Sequence, residues 1–376
     1  MKKDIGLYIH MPFCKAKCYY CDFISYANKE KLIKEYVEAL IKEMKHNNLS
    51  KYSIQTVYIG GGTPSLIDNE SISKIMDNVR LFVADNAEIT IEINPGTANK
   101  EKLKKYKEIG INRLSIGLQS ADNELLSEIG RIHKYEDFLN VYNEARNIGF
   151  RNINVDLMLG LPNQDLKKLE ESVKEVITLS PEHISIYSLI LEENTKLYDM
   201  VMNEELKLPD EAIERKMYWN VKKMLENEGY IHYEISNFAK EGYKSRHNSD
   251  CWEQKEYIGI GVSSHSYLNN KRYSNSESVE EYIKNINNND FDKNITIHEE
   301  QTKEDKQKEY MILGLRKING VNITKFKNKF GENPIFLYRQ ELNKLVQEEL
   351  IEIYDNNIKL TDKGLDLANV VWEEFI

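Results

Sequence analysis

Cysteine is scarce in this chain: Cys14, Cys18, Cys21 and Cys251 are the four in 376 residues, and the first three sit close together. A disulfide framework belongs to small secreted domains, so at this length the cluster reads as metal binding or redox chemistry. An excess of positive charge is also absent. Lys and Arg number 51 against 61 Asp and Glu, a formal net charge of -10. That excludes a general electrostatic grip on nucleic acid. No apolar run approaches the ~20 residues of a membrane span. Lys2-Lys3 is followed by no apolar stretch of the kind a secretory leader carries, and no obvious amphipathic segment offers a stable membrane anchor. Internal repeats and strong low-complexity tracts are missing too. These absences lead to the expectation of a soluble, cytoplasmic protein. Apolar residues at 41% and charged residues at 30% supply a core and a solvated surface.

Six runs read as strands: Ile5–Ile9, Thr56–Ile59, Ile89–Ile93, Arg113–Ile116, Ile153–Met158 and His183–Leu189. Most are rich in Ile, Val, Leu and Tyr, as buried parallel strands are. Amphipathic helical patterns lie between them; Tyr36, Val37, Leu40 and Met44 share one face, as do Leu169, Val173 and Val176. Six βα units predict an α/β fold, a (β/α)6 partial TIM barrel more than a closed eight-stranded one. Its chemistry is expected at the C-terminal ends of the strands. The barrel is read over residues 1–235 and a connecting segment over 236–300, with Asn285–Asp292 as a polar hinge. Residues 301–376 read helix, helix, helix, hairpin, helix, which predicts a winged-helix-like α+β module. In it Leu350–Tyr354 and Ile358–Leu360 flank a turn, and Thr361 caps the following helix. The helix Phe336–Glu349 sets Arg339 and Lys344 against Glu341, Glu348 and Glu349. It is therefore expected to dock over the barrel mouth and not to read DNA.

Cys14-Lys-Ala-Lys-Cys18-Tyr-Tyr-Cys21 directly follows the first strand. Three thiolates on a short loop can hold three irons of a cubane, leaving the fourth iron free to bind a small molecule. A closed zinc site would need a fourth ligand, for which His10 is the candidate at an unusual spacing. Gly60-Gly61-Gly62-Thr63 follows the second strand, where glycines let a backbone approach a ligand or simply make a tight turn. Glu92 and Asp156 interrupt otherwise apolar strands. A carboxylate there needs a cation, a hydroxyl or an ion pair, for example with Arg113 or Arg131.

The C-x3-C-x2-C set after the first barrel strand resembles the radical S-adenosylmethionine (SAM) superfamily. The resemblance implies a [4Fe–4S] cluster whose open iron binds the amino and carboxylate groups of SAM, with an electron donor for the cluster. Taken in order, Tyr8, Tyr20, Gly61, Gly62, Thr63, Glu92, Gln119, Arg131 and Asp156 are similar to the SAM contacts of a narrower group, the oxygen-independent coproporphyrinogen III oxidase family. The match covers nearly the whole chain.

Two activities are implied by that family. One is a dehydrogenase that oxidatively decarboxylates two propionates of coproporphyrinogen III. The other is a haem chaperone that binds haem and passes it to acceptor proteins. The enzymes carry a fourth cysteine two residues after the third, where this chain has Phe23, and an extension before the first strand that is not expected here. The chain therefore resembles the chaperone branch. That branch carries a His-Asn-x-x-Tyr-Trp motif; here the stretch reads His247-Asn248-Ser249-Asp250-Cys251-Trp252. His247 and Trp252 are the expected haem contacts, and Cys251 either ligates or packs. His265, in the glycine-rich block that follows, is expected to be structural.

Overall fold

The computed structural model describes residues 2–376. Strands β1 (Lys3–Met11), β2 (Tyr52–Gly61), β3 (Val83–Ile93), β4 (Arg113–Gln119), β5 (Ile153–Leu159) and β6 (His183–Ser188) run parallel and in sequence order. They correspond to the six expected strands. The helices that connect them include α1 (Ile33–His46), whose first strand-facing residues Tyr36, Val37 and Leu40 are buried as the sequence period requires.

The chain then adds to both edges of the sheet. Beyond β6 lie β7 (Ile231–Glu234) and β8 (Asn237–Ala239), both antiparallel to their neighbours. Beside β1 comes β9 (Tyr257–Ile260), a seventh parallel strand, and then β10 (His265–Leu268), β11 (Lys271–Asn275) and β12 (Ile295–Glu300) in antiparallel order. The resulting sheet has twelve strands in the order β12-β11-β10-β9-β1-β2-β3-β4-β5-β6-β8-β7. Most of residues 236–300 is thus sheet and helix of the barrel. Asn285 lies within the helix Val279–Asn287 and is buried, so the chain does not turn to the C-terminal module there.

One face of the sheet is apolar. Leu7, Ile9, Val57, Ile59, Ile91, Leu114, Ile116 and Val155 are fully buried in a single core with the helices. At ~25 cal/mol per Å2 this face supplies most of the folding drive. The alternate residues face the barrel interior and are polar: Tyr8, Tyr58, Glu92, Arg113, Ser115, Asn154, Asp156 and His183. Buried polar groups are tolerated when bonded, and these form a chain. His183 Nδ1 lies 2.6 Å from Asn154 Oδ1, and Asn154 Nδ2 donates at 2.8 Å to both Ser115 and Asp156. His183 Nε2 meets the Tyr233 hydroxyl at 2.7 Å.

The seventh strand is pinned by one buried carboxylate. Glu43 on α1 accepts from the Gly261 N–H at 2.9 Å, from Asn275 at 2.6 Å and from the Tyr282 hydroxyl. Burial pushes its pKa up, and the three donors oppose that shift.

Residues 301–376 have their own core of Phe326, Leu342, Leu345, Ile358, Val371 and Phe375. Thr302 and Asp305 form a capping box at the start of the helix Lys303–Gly314. The expected hairpin is Ile351–Tyr354 with Asn357–Leu360, turning at Asp355 and Asn356 with φ of 47° and 61°. Thr361 caps the next helix by accepting from Gly364 N at 3.0 Å. The module joins the sheet near both of its ends: Ile235, beyond β7, donates to Arg316 O at 3.1 Å, and Arg272 on β11, next to the edge strand β12, bonds Glu309 at 2.6 Å.

Candidate functional site at the C-terminal ends of the strands

The cysteine loop and the glycine loop are zipped together. Phe13–Cys14 pairs in parallel with Tyr26–Ala27, so the segment between them is a closed loop carrying Cys18 and Cys21. Gly62 N donates to Met11 O and Thr63 N to Phe13 O, both at 2.8 Å. A β-carbon on Gly62 would lie 2.8 Å from Met11 O and 3.1 Å from Cys14 Sγ, so no other residue fits there. Gly61 has φ +110°, and a β-carbon on it would strike the His10 ring at 2.5 Å. The Thr63 hydroxyl donates to Cys14 Sγ at 3.4 Å. Burial and the neighbouring Cys18 push the Cys21 thiol up to about 11.

His10 is not the fourth ligand of a closed zinc site. Its Nδ1 lies 3.0 Å from the Tyr8 hydroxyl and its Nε2 2.9 Å from Ile24 O. Both nitrogens are committed, and burial lowers the pKa to about 4. The ring instead ties the end of the cysteine loop to β1. Among the described residues no three His, Cys, Asp or Glu side chains converge on a single ion. A cubane places less demand on convergence, because each thiolate binds a different iron.

Around this loop stand the other expected residues. Glu92 accepts from the Tyr58 hydroxyl at 2.9 Å and from Gly61 N at 3.1 Å. Burial raises its pKa to about 7, with Asp156 adding to the shift and Arg113 opposing it. Asp156 is also raised by burial, against bonds from Asn154, Ser185 and Ser115. Neither carboxylate forms an ion pair with Arg113 or Arg131 in the described residues, so the ion-pair reading of these two positions is not met. Arg131 donates to Gly117 O at 2.7 Å and to Cys18 Sγ at 3.6 Å, and its buried Nε has no partner. Tyr20 lies against Arg131 and the cysteines. Gln119 ends β4 at φ +72°, where the register of β4 on β5 shifts. A non-glycine residue held in that conformation marks a strained position of the kind found at ligand sites. The donors, the unpartnered guanidinium nitrogen and the glycine cradle fit a cluster with a charged small molecule beside it.

His247 and Trp252 are not brought to this site. His247 belongs to the helix Arg246–Trp252, whose first N–H groups donate to Glu88 at 3.1 Å at the opposite end of the barrel. Its Nδ1 lies 2.9 Å from Thr56 Oγ1, its ring stacks on Tyr58 with centroids 5.2 Å apart, and burial lowers its pKa to about 4. It fills the barrel floor against Thr56 and Tyr58 of β2. Trp252 holds the Arg316 guanidinium 4.5 Å over its ring. Cys251 packs: burial pushes its thiol up to about 12.

Sequence reasoning missed the size of the polar interior. Arg113 is among the largest fully buried side chains, and its Nε has no partner. The signal was available, since an arginine in an apolar strand is costly unless it faces a polar space. Phe23 is 67% exposed beside the third cysteine, and Ile190 beyond β6 is 69% exposed, so the site opens into an apolar rim.

The radical SAM superfamily family model matches residues 8–176, and the HemN C-terminal domain model matches residues 301–367. "Heme chaperone HemW" of Bacillus subtilis is 40% identical over 98% of both chains. The protein of the same name from Lactococcus lactis is 35% identical over 100% of this chain and 98% of its own. The solved structure of coproporphyrinogen III oxidase (HemN) from Escherichia coli, a radical SAM enzyme, superposes with a TM-score of 0.85 at 22% identity, covering 100% of this chain and 90% of that one. That likeness confirms the fold, partial barrel and C-terminal module together. Identity at this level over the full length places the chain in the radical SAM superfamily, within the coproporphyrinogen III oxidase-like family and in its HemW branch.

Proposed function

We propose that this chain is a radical-SAM-type haem chaperone, which carries a [4Fe–4S] cluster and SAM, binds haem as cargo and delivers it to acceptor proteins in the cytoplasm. Cys14, Cys18 and Cys21 would hold the cluster, which supplies an open iron for SAM and a one-electron couple fed by an electron donor. The observation that carries this reading is the 3.4 Å bond from the Thr63 hydroxyl to Cys14 Sγ, which with the Gly62 and Thr63 backbone bonds to Met11 and Phe13 joins the glycine loop to the thiol loop at one end of the barrel. Tyr20, Gly61, Gly62 and Thr63 line that junction. Glu92 and Asp156 accept hydrogen bonds from the ligand's ammonium or hydroxyl groups. The Arg131 Nε answers its carboxylate, and Gln119 and Tyr8 complete the wall. The module at 301–376 covers the open side of the barrel formed by residues 1–235 with the strands of 236–300.

Phe23 in place of a fourth cysteine sets this reading above a coproporphyrinogen III dehydrogenase. The test is an anaerobic comparison of the cluster-loaded chain in two assays. Stoichiometric haem binding followed by transfer to an apo-acceptor, with no decarboxylation of coproporphyrinogen III in the presence of SAM and reductant, is the expected result. Decarboxylation without haem binding would reverse it. Iron and sulfide content in Cys18→Ala checks the ligands: two thiolates should not retain the cubane.

A further inference from the structure

A haem chaperone needs an iron ligand that its cargo can reach. His10, His133, His183, His232 and His247 are buried. His46 is exposed, but it ends α1 on the helical layer at the barrel's floor end, stacked 3.7 Å on Phe291. The other two histidines are exposed and stand together. His265 opens β10 and His298 lies in β12, with the rings stacked at 5.4 Å and 15°.

Strand β11 lies between theirs. Ser274 pairs with His265 across the ladder and meets His298 Nε2 at 2.7 Å. The His298 ring is thereby fixed, and it forms a wall for His265. Tyr267, two residues after His265, stands opposite Tyr257, which is level with Gly6 of β1. Both histidines of the pair's strands therefore continue the barrel-facing side of the sheet past β9. They also lie towards the cysteine end: Tyr26, beyond the cysteine loop, donates to Glu277 O at 2.6 Å, just past the end of β11. β12 is an edge strand whose six residues are all exposed, so a flat macrocycle can approach.

We propose that His265 is the axial ligand through which this chain holds haem iron, with the stacked His298 orienting its ring. The proposal rests on the haem-chaperone reading. A neutral imidazole is the ligating form. That form is favoured because partial burial, His298 and Arg272 lower the pKa of His265, against the opposing charge of Glu277. Neither Cys251, whose thiol is held protonated, nor His247, bonded to Thr56 on the floor, competes for the iron.

The test is an anaerobic haem titration of the cluster-loaded full chain, read by Soret and Q-band absorbance. Wild type, His265→Ala, His298→Ala, His247→Ala and His46→Ala are compared. His265→Ala should lose the histidine-ligated spectrum and weaken haem binding at least tenfold, and added imidazole should restore the spectrum. His298→Ala should keep ligation with a shifted Soret band. His247→Ala and His46→Ala should bind haem as wild type does. An unchanged spectrum and affinity in His265→Ala, with wild type binding normally, overturns the ligand assignment alone. Failure of wild type to bind haem overturns the chaperone reading and the assignment with it.

Discussion

Arg131 lies 3.6 Å from the sulfur of Cys18 while its other amino group is held 2.7 Å from the Gly117 carbonyl. The carbonyl fixes the guanidinium, and the sulfur receives a charged donor. Hydrogen bonds to cluster sulfurs tune a cluster's potential, and the unpartnered Nε is left for a ligand carboxylate. Arg131→Met should retain three-thiolate iron binding but lose a charge-assisted bond to SAM, of about 1.5–3 kcal/mol. That corresponds to a tenfold or greater rise in Kd by calorimetry, together with a shifted cluster potential. Wild-type SAM affinity in this variant would remove Arg131 from the site.

Glu92 gives a pH dependence with a definite sign. Its folded pKa of about 7 lies above the ordinary carboxylate value of 4.5, chiefly through burial. The folded state therefore binds more protons than the unfolded chain between those two values. Stability should fall as pH rises through that window, by roughly 3 kcal/mol in the ligand-free chain. SAM binding should move the opposite way, because the ionised carboxylate is the acceptor: affinity should drop as pH falls below about 7. Glu92→Gln should flatten both profiles. Thermal melts and calorimetry between pH 5 and pH 8 on the two proteins check it, and parallel slopes would refute the assignment.

The parts of this site that were legible in the sequence are those encoded locally. Cys14, Cys18 and Cys21 share one loop, Gly61 and Gly62 share another, and both announce themselves by spacing. What was not legible depends on partners far along the chain. Tyr257–Ile260 is only four residues long and interrupted by glycine, so it was not among the six expected strands; β1, its parallel neighbour, lies about 250 residues earlier in the chain. His247 kept the spacing of a haem motif, yet Thr56 and Tyr58 on β2 claim its ring. Strand periodicity was visible, but it could not say that the inward face would carry Arg113, Asn154 and His183 as a bonded network. That network depends on which residues of distant strands come to face one another across the barrel interior.

His247 should accordingly behave as a structural residue. Removing the ring leaves Thr56 Oγ1 without its partner, takes away the stacking on Tyr58 and opens a cavity in the floor. Together these should cost about 2–4 kcal/mol. In His247→Ala the melting temperature should fall by several degrees while iron and sulfide content in the folded fraction stay unchanged. Loss of the cluster at full thermal stability would contradict this placement.

Arg316 joins the module to the barrel in a way that can be tested separately. Its guanidinium stands 4.5 Å from the Trp252 ring and 5.0 Å from the Trp372 ring, one from each unit. The charge of the buried Glu234 on β7 faces it. Each desolvated cation–π contact contributes about 1–2 kcal/mol, and removal would also leave Glu234 buried without its counter-charge. Arg316→Ala should therefore loosen the module, with a loss of roughly 2–4 kcal/mol and faster proteolysis near residues 300–303. Arg316→Lys keeps the charge for Glu234 but not the flat group between two rings, so it should recover only part of the loss. If alanine and lysine variants melt and cleave alike, the charge is irrelevant and the stacking alone holds the module; if neither differs from wild type, the interface rests elsewhere, on Arg272–Glu309 and the Asp366 contacts with Arg215 and Trp219.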